Sequence, residues 1–194
     1  TYLGTSYYDQ TFCIKNDRDN YPHVVGQTKA PGYEWITNAT WFYPNSGQFI
    51  TKLSPRLDSI IWSTSFGTGE RKPNITPTAF LVDVCNNIYV SGWGGPNYRS
   101  GTTGLPVTAD AFQSTTDGAD FYFLCIDGDA SSLQYATFFG GTSTNSGEHV
   151  DGGTSRFDKK GRIYQAICAG CSGISNYPVT PGAWSEVNGS GNCN

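Results

Sequence analysis

Cys168 and Cys171 stand at Cys-x-x-Cys spacing, with His149 upstream and Cys193 downstream. That spacing suits two ligands of a tetrahedral zinc ion, which His149 and Cys193 would complete. It equally suits a disulfide framework, because six cysteines in a chain rich in glycine and tyrosine point to an oxidising compartment. The disulfide is the preferred reading. Cys193 would bridge to Cys168 or Cys171 and staple the long connection before it, a closure that contributes about 2–4 kcal/mol. Cys85 and Cys125 form the second candidate pair. Cys13 is left for a remaining cysteine or for sequence elsewhere. No helix follows Cys171 to lower a thiol pKa, so redox chemistry is not expected there.

The carboxylates offer less. Asp127-x-Asp129-x-Ser131 begins like a calcium loop but lacks its later glycine and bidentate glutamate. It reads as an Asx-rich turn. Glu148, Asp151 and Asp158 carry oxygens suited to a hard cation, yet a strand separates them. Asp83 and Asp158 fall at equivalent repeat positions, which assigns them to turn capping. No cofactor is expected; calcium is the one ion for which these side chains leave room. No nucleophile elbow, phosphate loop or metalloprotease motif is present, and no pair of carboxylates stands out for glycoside hydrolysis. The chain is therefore read as non-enzymatic. Asn38, Asn74 and Asn188 open N-glycan acceptor triplets.

The elements that position these residues repeat. An aromatic-glycine turn occurs at Tyr2-Leu3-Gly4, Phe66-Gly67 and Phe139-Gly140. Leu3 to Phe66 is 63 positions and Phe66 to Phe139 is 73. A second motif occurs as LPVTADAFQ from Leu105 to Gln113 and as YPVTPGAWS from Tyr177 to Ser185, with Pro106 and Pro178 72 apart. A fixed period marks an array of supersecondary units. Ile60 to Phe66, Thr78 to Val84, Ile88 to Gly92 and Asp120 to Ile126 read as four strands of one unit. Leu133 to Phe139, Gly152 to Phe157 and Arg162 to Ile167 read as three strands of the next. Thr11 to Lys15, Tyr21 to Gly26 and Gln48 to Leu53 belong to a divergent first unit.

The expectation is an all-β fold of β-propeller blades, four-stranded antiparallel meanders, about two and a half of them. A β-solenoid is the competing architecture. The borders are 1–58 for an incomplete first blade, 59–131 for the second, and 132–194 for a third lacking its last strand. Both ends would then be cut within a blade of a larger protein.

In a meander, alternate loops fall on opposite ends. The short turns, Cys85 to Asn87, Asp127 to Ser132 and Asp158 to Gly161, share one. The long connections share the other, where a rigid scaffold places binding. They carry Trp93, Tyr98, Arg99, Glu148, His149 and Tyr177, and in the first unit Tyr33, Trp35, Trp41 and Tyr43. Aromatics beside Asn and Asp suit sugar or protein contacts. Packing of the loops onto the blades is the competing role for the same side chains.

The run from Asp83 to Gly92, the two Pro-Val-Thr motifs and the run from Asp158 to Ala166 resemble the bacterial β-propeller repeat known as SBBP. The stretch Glu148 to Gly161 is similar to large secreted Bacteroidota proteins that carry gliding-motility-associated or type IX secretion sorting domains. The resemblance covers residues 55–194 well and 1–54 loosely, where Pro22 and the aromatic stretch Trp35 to Tyr43 depart from it. It implies a secreted or cell-surface protein with adhesive or assembly roles, contacting other blades or domains of the same protein and cell-surface proteins or glycans. It brings no catalytic residue. Carbohydrate binding, and part of a propeller hydrolase or lyase, are the alternatives. Asp58-Ser59-Ile60 resembles the Bacteroidota O-glycosylation acceptor, which makes Ser59 a glycosylation candidate. Net charge is −4 with no basic stripe, so nucleic acid is not an expected partner. No apolar run is long enough to cross a bilayer.

Overall fold

The computed structural model describes residues 1–95, 101–142, 147–150, 155–169, 176–187 and 189. Among them there are strands and no helix. The first sheet holds β1 (Asp9–Asn16), β2 (Pro22–Thr28), β3 (Gln48–Leu53) and β4 (Ile60–Phe66) in that order. The second holds β5 (Thr76–Val82), β6 (Ile88–Trp93), β7 (Phe121–Ile126) and β8 (Leu133–Phe139), also in order. A hairpin of β9 (Ser155–Phe157) and β10 (Ile163–Gln165) follows. Every pairing is antiparallel. The prolines respect the ladder: Pro22 opens its strand, and Pro77 lies at a bulge of the edge strand β5.

Hydrogen bonding groups the strands differently from the sequence-based unit borders. The strand at Ile60–Phe66, expected to open the second unit, pairs with β3 and closes the first sheet. Leu133–Phe139 likewise closes the second sheet. The reason is loop length. A short turn over 54–59 folds β4 straight back onto β3, whereas the longer connection over 67–75 carries the chain to a new sheet.

One device builds most of the tight turns. Asp17 Oδ1 accepts the N–H groups of Asp19 and Tyr21, each at 2.9 Å. Asp83 Oδ1 accepts those of Cys85 and Asn87 at 2.8 and 2.9 Å. Asp158 Oδ1 accepts those of Lys160 and Arg162 at 2.8 and 3.0 Å. Three residues after each aspartate the chain turns left-handed, at Asn20, Asn86 and Gly161 (φ 63°, 69° and 79°). Asparagine and glycine are the residues that tolerate this. The capping role expected for Asp83 and Asp158 is thus what their carboxylates perform, and Asp17 shares it.

The two sheets bury one face each against the other. Val25, Ile50, Trp62 and Phe66 of the first meet Phe80, Val90, Tyr122, Leu124 and Phe138 of the second in one core cluster. The far face of the first sheet forms a smaller cluster around Val24, Phe49, Leu53 and Trp35. Gly26 has no side chain because the Phe49 ring crosses its position; a Cβ there would lie 2.5 Å from Phe49 Cζ. The far face of the second sheet receives the hairpin, through Tyr89 against Phe157 (5.9 Å between ring centroids) and Gln165 Nε2 donating to Ser91 Oγ at 2.8 Å. β5 contacts both β1 and β9, so the first strands of successive units are neighbours.

The Pro-Val-Thr motif has a structural task. Residues 105–113 run beside β8 and seal its open edge. The Thr108 N–H donates to the Ala136 carbonyl at 3.2 Å, Thr108 Oγ1 accepts from the Ala136 N–H at 3.1 Å, and the Phe138 N–H donates to the Gln113 carbonyl at 3.0 Å. In the first unit residues 37–43 do the same for β4, through Thr37 with Ser63 and Tyr43 with Ser65. An unpaired edge is a template for aggregation, and this covers it.

Candidate functional site

Strand register places the long connections together. Asp9 pairs with Thr28, Gln48 with Phe66, and Trp93 with Phe121, so residues 1–8, 29–47, 67–75 and 94–120 leave the sheets at one end. The aspartate turns lie at the other. The expected division into a long-loop end and a short-turn end therefore holds in the structure.

Several expected ligand contacts are struts. Trp35 is 5% exposed; its ring stacks on Phe49 with centroids 3.6 Å apart, and its indole N–H donates to Thr28 Oγ1 at 2.9 Å. It covers a sheet face that would otherwise be wet. Trp41 packs on the main core, and its backbone N–H donates to Ala130 at the short-turn end of the second sheet. Both residues thus take part in packing, the competing role for these side chains. Trp93 is half-buried with His149 tilted against it at 5.7 Å. His149 forms a β-bridge with Cys168. Tyr177 packs edge-on against Phe139 at 5.2 Å, and burial, then the charge of Glu148, hold its hydroxyl pKa above the usual tyrosine range. Tyr98 and Arg99 lie outside the described residues.

Glu148 is 1% exposed and cannot reach solvent as a surface ligand would. Its Oε1 accepts the Gly141 N–H at 2.6 Å. Burial raises its pKa, and Asp120 and Asp117 add to the effect.

The disulfide candidates divide in two. Cys13, Cys85 and Cys125 are thiols outside any disulfide, so the Cys85–Cys125 bridge is not formed. Cys85 sits in an exposed turn beyond the strand end, while Cys125 is buried within β7 opposite Tyr89. Burial holds the Cys125 thiol up at about 11 and keeps it protonated. Cys168 is buried, and Cys171 and Cys193 lie outside the described residues, as does Asp151. Among the described residues no group of three or more His, Cys, Asp or Glu is arranged to hold a metal. Asp127 is spent on its turn. It accepts the hydroxyls of Ser131 and Ser132 and both backbone N–H groups. Burial opposes its charge, but these bonds outweigh it and lower the pKa to about 2.

What the long-loop end does expose is an aromatic-cationic platform that the sequence had not assembled. Tyr7, Tyr8 and Tyr33 are all exposed, Tyr33 at 64%. Arg71 lies over the Tyr7 ring at 5.8 Å and Lys29 over Tyr8 at 5.7 Å. Arg71 also donates to the Lys29 carbonyl at 3.0 Å, which ties the 67–75 connection to 29–47, and within the latter Asn45 Oδ1 accepts the Gly32 N–H at 2.7 Å. Phe42 meets Tyr33 edge-on at 5.9 Å. Only Tyr33 was legible beforehand, because the platform draws on three connections, 1–8, 29–47 and 67–75. A groove of about 610 Å³ lies elsewhere, between the second sheet and the hairpin, lined by Tyr89, Phe123, Cys125, Tyr135, Phe157 and Ile163.

Compared with models of known protein families and with curated proteins, the chain matches none.

Proposed function

We propose that this chain is a non-enzymatic propeller segment of a secreted or cell-surface protein, and that its long-loop end makes adhesive or assembly contacts. The propeller reading is supported by the adjacency of β1, β5 and β9, which are the first strands of successive units. Blades arranged around an axis bring their first strands together in this way. The two four-stranded sheets packed face to face support it as well.

The observation that carries the contact role is the platform of Tyr7, Tyr8, Tyr33, Lys29 and Arg71. Aromatic rings held by cations are rigid, amphipathic and costly to expose without a purpose. A protein or glycan surface of neutral to acidic character fits them. Ser59 is exposed at the opposite, short-turn end, where a glycan would leave the platform clear.

Beads coated with the chain should adhere to bacterial envelope preparations, and a Tyr7→Ala, Tyr33→Ala, Arg71→Ala variant should lose most of that adhesion. Equal adhesion by both would overturn the reading. A glycan array run on the same pair separates the carbohydrate-binding alternative, since only that alternative gives sugar-specific signal.

A further inference from the structure

The two repeats differ at one buried slot. In the second unit, Gly67 follows the aromatic Phe66, and Asn74 Oδ1 accepts the N–H of the next residue, Thr68, at 3.0 Å. The Asn74 amide also donates, to Thr68 Oγ1 at 3.2 Å and to the Gly101 carbonyl at 2.9 Å. Ser46, just before β3, completes the slot beside Gly67. All of these groups are neutral.

In the third unit Gly140 follows Phe139, and Glu148 takes the place of Asn74, accepting the N–H of Gly141. Asp120, just before β7, is the register equivalent of Gly47, and its carboxylate lies beside Gly140 where Ser46 lies beside Gly67. Asp120 is 0% exposed. Its Oδ1 and Glu148 Oε2 are both buried, and no hydrogen-bond donor reaches either. Both oxygens converge on Gly140: they lie 2.0 and 2.9 Å from the point where a Gly140 Cβ would stand. Gln113 brings an amide to the same place, its Oε1 accepting the Gly140 N–H at 3.1 Å and its Nε2 donating to Asp120 Oδ2 at 3.3 Å. Among the described residues no Lys or Arg pairs with either carboxylate.

A buried carboxylate with one oxygen unpaired and no cation beside it is costly, and the neighbouring repeat shows that the fold does not require acid here. We propose that Asp120 Oδ1 and Glu148 Oε2 are ligands of a calcium ion that docks the connection after β8 onto β7. Calcium bonds oxygens at about 2.3–2.6 Å, accepts irregular mixtures of carboxylate, amide and water oxygens, and binds extracellular modules with Kd on the order of 10⁻⁴–10⁻³ M. Two converging carboxylate oxygens and the Gln113 amide oxygen are such a mixture. The smaller magnesium ion needs a stricter octahedron.

The test uses the whole chain at pH 7.5. Calcium from 0 to about 10 mM should raise Tm in a saturating manner, since a ligand that binds only the folded state stabilises it by mass action. Terbium should give luminescence sensitised by the nearby aromatics. Asp120→Asn and Glu148→Gln should each weaken calcium binding at least tenfold, whereas Asp127→Asn, at the turn already satisfied by Ser131 and Ser132, should keep it. Absence of a calcium shift and of terbium emission in the unmodified chain would overturn the proposal. So would retention of both signals in Asp120→Asn and Glu148→Gln. A Glu148→Gln variant more stable than the parent, with calcium inert, would show that the pair shares a proton instead.

Discussion

At the scale of single residues, burial decides what a side chain is for. Trp35 and Tyr33 are two positions apart in one aromatic stretch, yet one is a strut and the other a surface ring. Composition cannot separate them, because both roles use the same apolar body and polar tip. His23 shows the same logic in its ionisation. It is fully buried, its Nδ1 lies 3.0 Å from the Tyr21 carbonyl, and Trp62 meets it edge-on. Burial, then the charge of Lys52, pushes its pKa down to about 4. The folded state then binds fewer protons than the unfolded state between about pH 4 and 6.5, so this group's contribution to stability rises with pH across that window and is lost as pH falls. The limiting slope is about 1.4 kcal/mol per pH unit. Asp120, held up at about 6, acts oppositely between about pH 4 and 6. In urea titrations, His23→Gln should flatten the rise of stability from pH 4 to 6.5, and Asp120→Asn should steepen it. Unchanged pH profiles in both variants would contradict these assignments.

At the scale of elements, the repeated motifs turn out to be edge and turn chemistry. The Pro-Val-Thr segment lies along β8 through Thr108 and Gln113. Thr108→Val keeps shape and removes the hydroxyl that accepts the Ala136 N–H. It should cost about 1–2 kcal/mol and speed amide exchange at Ala136, measured by hydrogen exchange with mass spectrometry. Protection equal to the parent would mean that the edge is not sealed by this segment. The aspartate turns were legible from Asp83-x-x-Asn86 and Asp158-x-x-Gly161, because the carboxylate and the left-handed residue are both local in sequence. The sealing of strand edges was not legible, because a connection's path depends on which strand it finds at the end of its reach.

At the scale of the whole molecule, one core joins the first two sheets. Ile50 is fully buried within the cluster that links them. Ile50→Ala should cost about 2–5 kcal/mol and lower the unfolding temperature of both sheets together. Separate shifts, followed by hydrogen exchange across β2–β3 and β6–β7, would show instead that the sheets are energetically independent. The hairpin of β9 and β10 meets the second sheet across a groove rather than a closed core, so its amides should exchange first.

The sequence by itself determined the strands, their turns, the all-β class and the division of loops between two ends. These follow from alternation and turn residues, which act over a few positions. It also determined the period of the array. It did not determine the phase: a repeat of 63 to 73 positions is equally consistent with a unit that opens or closes at Ile60. Tertiary structure settled that by hydrogen-bonding β4 to β3. The same holds for the residues where chemistry was first sought. Cys85 and Cys125 share one unit without bridging, and Glu148 became informative only beside Asp120, 28 positions earlier. A carboxylate's meaning depends on the charges and donors around it, and in a β array those arrive from the next connection rather than from the next residue.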